Sequence, residues 1–234
     1  MHALVTGATS GIGHALVLAL AARGIHVLGV GRSAGRAAVL RAELAALGAG
    51  HLVNHGDLAD AAFLSSISAQ AQDFSAGSLN LLVHSAGHHE PGTVEATTAQ
   101  QFDAAIATNL RAPFLLTAAL LPALRLARGM IVLLNSSIVN HPRAGIAAYA
   151  ASKAGLRSFA DCLRTEVNEH GVRVLSIFPG RTATPMQRER YEAEGIEYRP
   201  ERLLQPEDLV EAILHAFTSR AEVTELALRP MSKS

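Results

Sequence analysis

Tryptophan is absent from this chain, and aromatic residues make up only 4% of it. The core of a 234-residue chain must then come from Ala, Leu, Val and Ile, within the 49% of residues that are hydrophobic. Cysteine is nearly absent too. Cys162 has no second cysteine to pair with, which excludes an internal disulfide and fits a reducing, cytoplasmic setting. Neither sign of charge is in excess, since Lys+Arg and Asp+Glu are both 20. That balance argues against a nucleic-acid surface and against a disordered acidic tail. No basic leader precedes an apolar run, and no uninterrupted span of membrane length is expected, so no membrane role is expected either. Linkers, low-complexity tracts and repeats are missing, which leaves one domain over 1–234 as the expectation.

What is present is alternation. Short β-branched or Leu-rich runs at 3–6, 26–30, 51–54, 79–84, 130–135, 173–178 and 223–228 read as strands. Between them, Ala/Leu-rich stretches of helical period run over 11–23, 34–47, 60–73, 99–126, 147–170 and 206–219. Strict strand/helix alternation predicts an α/β fold: a Rossmann-type, doubly wound parallel sheet of about seven strands with helices on both faces. One connection breaks the rhythm. From Pro179 to Pro206 the chain holds four prolines and a polar run, and the part near 185–205 sits where substrate lids follow a parallel strand. A plain surface excursion is the other reading.

The first strand leads into Gly7, Thr9, Ser10, Gly11, Ile12 and Gly13, then a helix. Glycines at such a turn let the backbone bend sharply and let a pyrophosphate approach the helix N-terminus. The spacing is Gly-x-x-x-Gly-x-Gly, different from the common Gly-x-Gly-x-x-Gly dinucleotide fingerprint. Farther on, Tyr149 and Lys153 stand four apart on one helical face. A phenol with a pKa of roughly 10 trades protons poorly at neutral pH unless a neighbouring cation lowers it.

Together these motifs resemble the short-chain dehydrogenase/reductase family over the whole chain. His84-Ser85-Ala86-Gly87 stands where the family usually has Asn-Asn-Ala-Gly, Asn109 lies in the middle helix, and Pro179-Gly180-Arg181-Thr182-Ala183-Thr184 follows the sixth strand. The resemblance implies a catalytic set of Asn109, Ser136, Tyr149 and Lys153. Tyr149 would be the general acid or base and Lys153 would lower its pKa and hold the nicotinamide ribose. Ser136 would bond the substrate oxygen, and Asn109 would position a water leading from Lys153 to solvent. The usual spacing to the tyrosine selects Ser136, with Ser137 in reserve. Asn109 could equally be bonded within a helix interrupted before Pro113.

The cofactor set implied is the glycine turn, Asp57 and Leu58 near the adenine, Ala86 and Gly87 along the backbone approach, and Tyr149 and Lys153. Pro179, Gly180, Thr182 and Thr184 would lie near the nicotinamide, with pro-S hydride transfer. Asp57 could instead cap the following helix. At the end of the second strand, where the family's NAD users carry an acid, the chain has Gly31, then Arg32 and Ser33. A guanidinium there suits a 2′-phosphate, so NADP(H) is expected; Arg32 as a solvated surface charge is the alternative.

Losing both asparagines of the family motif at His84 and Ser85 removes amides that would tie neighbouring strands. His88-His89-Glu90 lacks metal-ligand spacing, so no metal is expected, and His88, His89, His141 and Arg143 are rim candidates for a substrate pocket. Cys162 reads as packing or interface. The expected activity is NADPH-dependent reduction of a small-molecule ketone or aldehyde, or the reverse oxidation of an alcohol. The family's habit implies a homodimer or homotetramer through 99–126 and 147–170. An NADP(H)-binding regulator or scaffold without turnover is the competing reading.

Overall fold

The central strands are short, buried apolar runs, the edge strands are more polar and exposed, and all seven join one sheet. The computed structural model describes residues 1–231; the last three residues of the expected 1–234 domain lie outside the described residues. The strands are β1 (His2–Thr6), β2 (His26–Gly31), β3 (Leu52–His55), β4 (Leu81–His84), β5 (Met130–Leu134), β6 (Arg173–Pro179) and β7 (Glu225–Leu228). They pair in parallel in the order β3-β2-β1-β4-β5-β6-β7. The order reverses between β1 and β4, and a crevice opens at the carboxyl ends of strands around such a switch point.

Alternate strand residues face opposite sides, so each central strand feeds two cores. On one face Val5, Val27, Val83 and Val132 pack under α1 (Gly11–Ala21), α2 (Ala34–Leu47) and α8 (Pro206–Thr218). On the other, Leu4, Leu28, Leu82 and Ile131 pack under α3 (Ala61–Phe74), α5 (Ala112–Ala127) and α6 (Ala147–Val167). Both faces are dry, which is why the central strands read as continuous apolar runs rather than alternating ones.

Two regions depart from the sequence reading. The expected helix over 99–126 is α4 (Ala99–Ile106), a π-helical turn (Ala107–Arg111) and α5. Pro113 has no N–H to return to the Asn109 carbonyl, and the ladder widens just before it. Joined end to end, Ala99–Ala127 is long and apolar enough to cross a membrane by length and composition, contrary to the sequence expectation. Its Leu116, Leu120 and Leu124 are committed to the sheet. The second departure is α7 (Pro185–Ala193) inside the expected loop. Thr184 caps it by accepting from the Gln187 amide at 3.3 Å, and Pro185 occupies the first turn. Only Tyr191 of α7 is buried, so the segment has no apolar stripe for periodicity to reveal.

His84 answers the question raised by the missing asparagines. It is 3% exposed, and its Nε2 bonds the Thr117 hydroxyl at 2.9 Å, tying β4 to α5. Burial, helped by Lys153, lowers its pKa from 6.5 to about 3. Between those two values the unfolded chain takes up a proton at His84 that the folded chain refuses, so stability is lost as pH falls below 6.5. Urea melts should show His84 contributing a loss of roughly 1.4 kcal/mol per pH unit on acidification from pH 6 toward 4, a slope that His84→Gln removes.

Candidate active site

A cleft of about 430 Å³ opens at the carboxyl ends of the strands. Gly7 turns the chain out of β1 with φ +68, and a Cβ there would sit 2.7 Å from the Ala86 amide nitrogen. At Gly13 a Cβ would collide with the Gly7 carbonyl, so α1 runs directly against the turn. Gly7, Thr9, Ser10, Gly11 and Ile12 line the cleft, while Gly13 is buried behind them. Ser10 makes no side-chain cap, and the first turn of α1 carries no acid. Helix amides left without a capping side chain, in a bend with no room for a Cβ, fit a pyrophosphate.

At one end of the cleft, the space where Gly31 would carry a side chain is filled by the Thr9 side chain. An aspartate at 31 would therefore displace Thr9. Arg32 is exposed on the cleft wall, and Ser33 caps α2 by accepting from the Arg36 amide at 3.4 Å. Arg36 also lines the cleft and was missed in the sequence; its place one turn after Arg32, in the first turn of α2, was the available signal. Asp57 and Leu58 line the same end. Asp57 does not cap α3: it accepts from the Ala59 amide at 2.9 Å, and Asp60 is the cap, accepting from Ala62 at 2.8 Å.

Deeper in, Ser136, Tyr149 and Lys153 converge on the wall between β5 and α6, with Ser137 lining beside them. Ser136 closes the 3₁₀ turn Ser137–Val139 and hydrogen-bonds the Tyr149 side chain, which lowers the phenol's pKa. Burial acts more strongly in the other direction, and the net shift of Tyr149 is upward from 10.0. The sequence expectation that Lys153 brings Tyr149 down is thus not met. Lys153 Nζ lies 5.9 Å from the ring centroid, donates to the Leu134 carbonyl at 2.7 Å, and is itself lowered by burial to about 8.

Asn109 is fully buried and stands one layer behind the cleft wall. Its Oδ1 accepts from the His88 amide at 2.8 Å, and its Nδ2 donates to the His88 carbonyl at 2.8 Å and to Ser152 Oγ at 2.9 Å. Ser152 in turn donates to the Tyr149 carbonyl at 2.7 Å. Both side-chain donors of Asn109 are therefore committed to protein, which leaves its donors no part in holding a water.

Ala86, Gly87, Pro179, Gly180, Thr182 and Thr184 all reach the cleft. Thr182 donates to the Gly180 carbonyl at 3.2 Å, and the Thr184 methyl faces Gly11, so α7 begins over the glycine turn. His88, His89, His141 and Arg143 line the wall as rim residues. His89 stacks edge-on against Tyr149 at 4.9 Å, and burial followed by Arg190 lowers its pKa. Arg181, together with Met186, Gln187 and Arg190 of α7, completes that end; none was assigned a site role from the sequence, because a helix without periodicity gives no facing residues. Among the described residues, no three His, Cys, Asp or Glu side chains gather as a metal site. Cys162 is exposed on α6, so it is not core packing.

A switch-point cleft with a glycine cradle at one side and a Ser-Tyr-Lys group at the other defines a dinucleotide-binding α/β protein of the dehydrogenase class. The short chain dehydrogenase family model matches residues 1–195, and the chain belongs to that family. It is 35% identical over 188 residues to the 3-oxoacyl-(acyl-carrier-protein) reductase FabG of Escherichia coli, covering 80% of this chain and 75% of that one. It is 31% identical over 186 residues to the 2,3-dihydro-2,3-dihydroxybenzoate dehydrogenase of Bacillus subtilis, covering 79% and 71%. Among solved structures, a metagenomic short-chain oxidoreductase in complex with NADP superposes with a TM-score of 0.84 at 28% identity, covering 99% of this chain and 98% of that one.

If the Ser136 bond is what holds the phenol down, Ser136→Ala should raise the Tyr149 pKa further, while Ser137→Ala leaves it in place. Selective 13C labelling of the three tyrosines, followed by pH titration, reads this directly.

Proposed function

We propose that this protein is an NADP(H)-dependent oxidoreductase that interconverts a small-molecule ketone or aldehyde and its alcohol. The observation that carries the proposal is the group of Ser136, Tyr149 and Lys153 on the wall of the cleft that also holds the glycine cradle. The nicotinamide, when bound, gives or takes the hydride. The residues of the chain do the rest. Tyr149 passes its phenolic proton to the substrate oxygen in reduction and takes it back in oxidation. Ser136 donates a hydrogen bond to that oxygen as negative charge grows there. Lys153, with a pKa of about 8, carries its positive charge at neutral pH and would hold the nicotinamide ribose. Asn109 is a positioning residue that fixes the Tyr149 helix against the His88 backbone.

The Gly7–Gly13 turn would hold the pyrophosphate. Arg32 and Arg36, with the Ser33 hydroxyl between them, would hold the 2′-phosphate, and the Thr9 side chain packed against Gly31 disfavours the acid that would bind a free 2′-hydroxyl. Residues 185–205 would act as the substrate lid of a single catalytic domain. A homodimer or homotetramer through α4, α5 and α6 is supported by Phe102, Phe114 and Leu126, which stand 44%, 51% and 71% exposed on α4 and α5. A cytoplasmic setting agrees with the lone free thiol.

Two variants test the reading. Arg32→Ala should weaken NADPH binding by about 10- to 100-fold while NADH affinity stays where it was, measured by fluorescence titration. A wild type with no preference for NADPH would sink the phosphate assignment. Tyr149→Phe should lower turnover of a carbonyl panel by about 10²-fold or more with NADPH affinity retained. Tight NADPH binding with no turnover by the wild type would favour a regulatory protein instead.

A further inference from the structure

The end of the cleft beyond Tyr149 is electropositive and holds unused nitrogen groups. Its wall carries Arg143, Arg181 and Arg190, whereas among the described residues the only carboxylate lining the cleft is Asp57, which follows β3 at the opposite side of the sheet. Among the described residues, Glu194 is the single acid paired with the cluster: it accepts from Arg190 Nε at 2.8 Å and lies 3.9 Å from Arg143. Arg181 is occupied by Tyr191, donating to its hydroxyl at 2.8 Å with the guanidinium over its ring. Arg190 is occupied only in part. Its Nη2 is buried and bonded to nothing, and so is the Nε2 of Gln187. These two residues are three apart on α7 and so share a helix face. A third buried and unbonded nitrogen, Nε2 of His89, belongs to the ring that packs on Tyr149 and feels the Arg190 charge.

Buried donors without partners are costly, and a site that collects them on one wall is completed by a ligand that accepts. A neutral carbonyl compound uses its one oxygen at Tyr149 and Ser136, which leaves Arg190 and Gln187 unsatisfied. A carboxylate offers two oxygens and a charge, and suits a guanidinium edge together with an amide N–H₂. Resting on the oxidoreductase reading above, we infer that the substrate is a carbonyl or hydroxy compound bearing a carboxylate, with Arg190 and Gln187 of α7 as its anion-binding residues. His89 then forms the wall between the reacting carbon and the carboxylate. Because both donors ride on α7, an anionic substrate also draws the lid segment onto the cleft.

The test separates charge recognition from chemistry. Calorimetry on the NADP⁺-saturated protein should show benzoate binding at least about tenfold more tightly than benzamide, a neutral match of the same shape. Arg190→Met should bring that ratio near one, Arg190→Lys should restore part of it, and Gln187→Leu should give an intermediate loss. Circular dichroism spectra of each variant establish that it is folded. In parallel, kcat/KM for 4-formylbenzoate over its methyl ester should show the same preference and the same collapse in Arg190→Met. Indistinguishable heats for benzoate and benzamide in the wild type, including none for either, would overturn the inference, as would a ratio that survives Arg190→Met. Reduction of neutral aldehydes without charge preference would overturn the anion site alone. Charge-selective binding with no reduction of any carbonyl would keep the site and remove the oxidoreductase reading.

Discussion

The site depends on one buried amide. Asn109 spends its side chain on the His88 backbone and on Ser152, and Ser152 passes the restraint to the Tyr149 carbonyl. Three segments far apart in sequence are thereby fixed to one another: the loop after β4, the π-turn and the start of α6. The irregular helix is what makes this possible. Pro113 widens the ladder at the turn where Asn109 must face inward, and Gly155 lets α6 approach until a Cβ would meet Leu110 at 2.8 Å. A regular α-helix across 99–127 would rotate Asn109 relative to both partners.

Around that clasp the electrostatics follow from burial. Tyr149 is pushed up and Lys153 and His84 are pushed down, so each is moved toward its neutral form. Ser136 offsets part of the shift at Tyr149 through its hydrogen bond. In the proposed mechanism this environment keeps the phenol protonated until the substrate oxygen gains charge.

The two ends of the cleft differ in a way that matches two kinds of anion. Arg32 and Arg36 stand at the start of α2, exposed and open to a phosphate. Arg190 and Gln187 stand on α7 and line the cleft, each with a buried nitrogen that has no hydrogen-bond partner. The first pair sits on the rigid αβ framework and the second on a helix held chiefly by Tyr191 and its Thr184 cap. In the proposed function, cofactor recognition and substrate recognition thus fall to different elements of the fold.

The sequence by itself determined the sheet, the glycine turn and the Tyr-Lys face, because each is local: apolar run length, a turn with room for no Cβ, and a four-residue helical spacing. It also marked Arg32, and the resemblance to a known family marked Ser136 through that family's usual spacing to the tyrosine. What it could not determine depends on which segments meet. The role of Asn109 needed the path of the His88 backbone, and the cap of α3 at Asp60 rather than Asp57 needed a backbone angle. The direction of the Tyr149 shift needed the depth of burial, which outweighs the Ser136 hydrogen bond. The helix α7 and its donors were illegible for a simpler reason: α7 buries almost nothing of its own, so no hydrophobic period records which face it turns to the cleft. That orientation is decided only when Thr184 packs on Gly11 and sets where the helix begins.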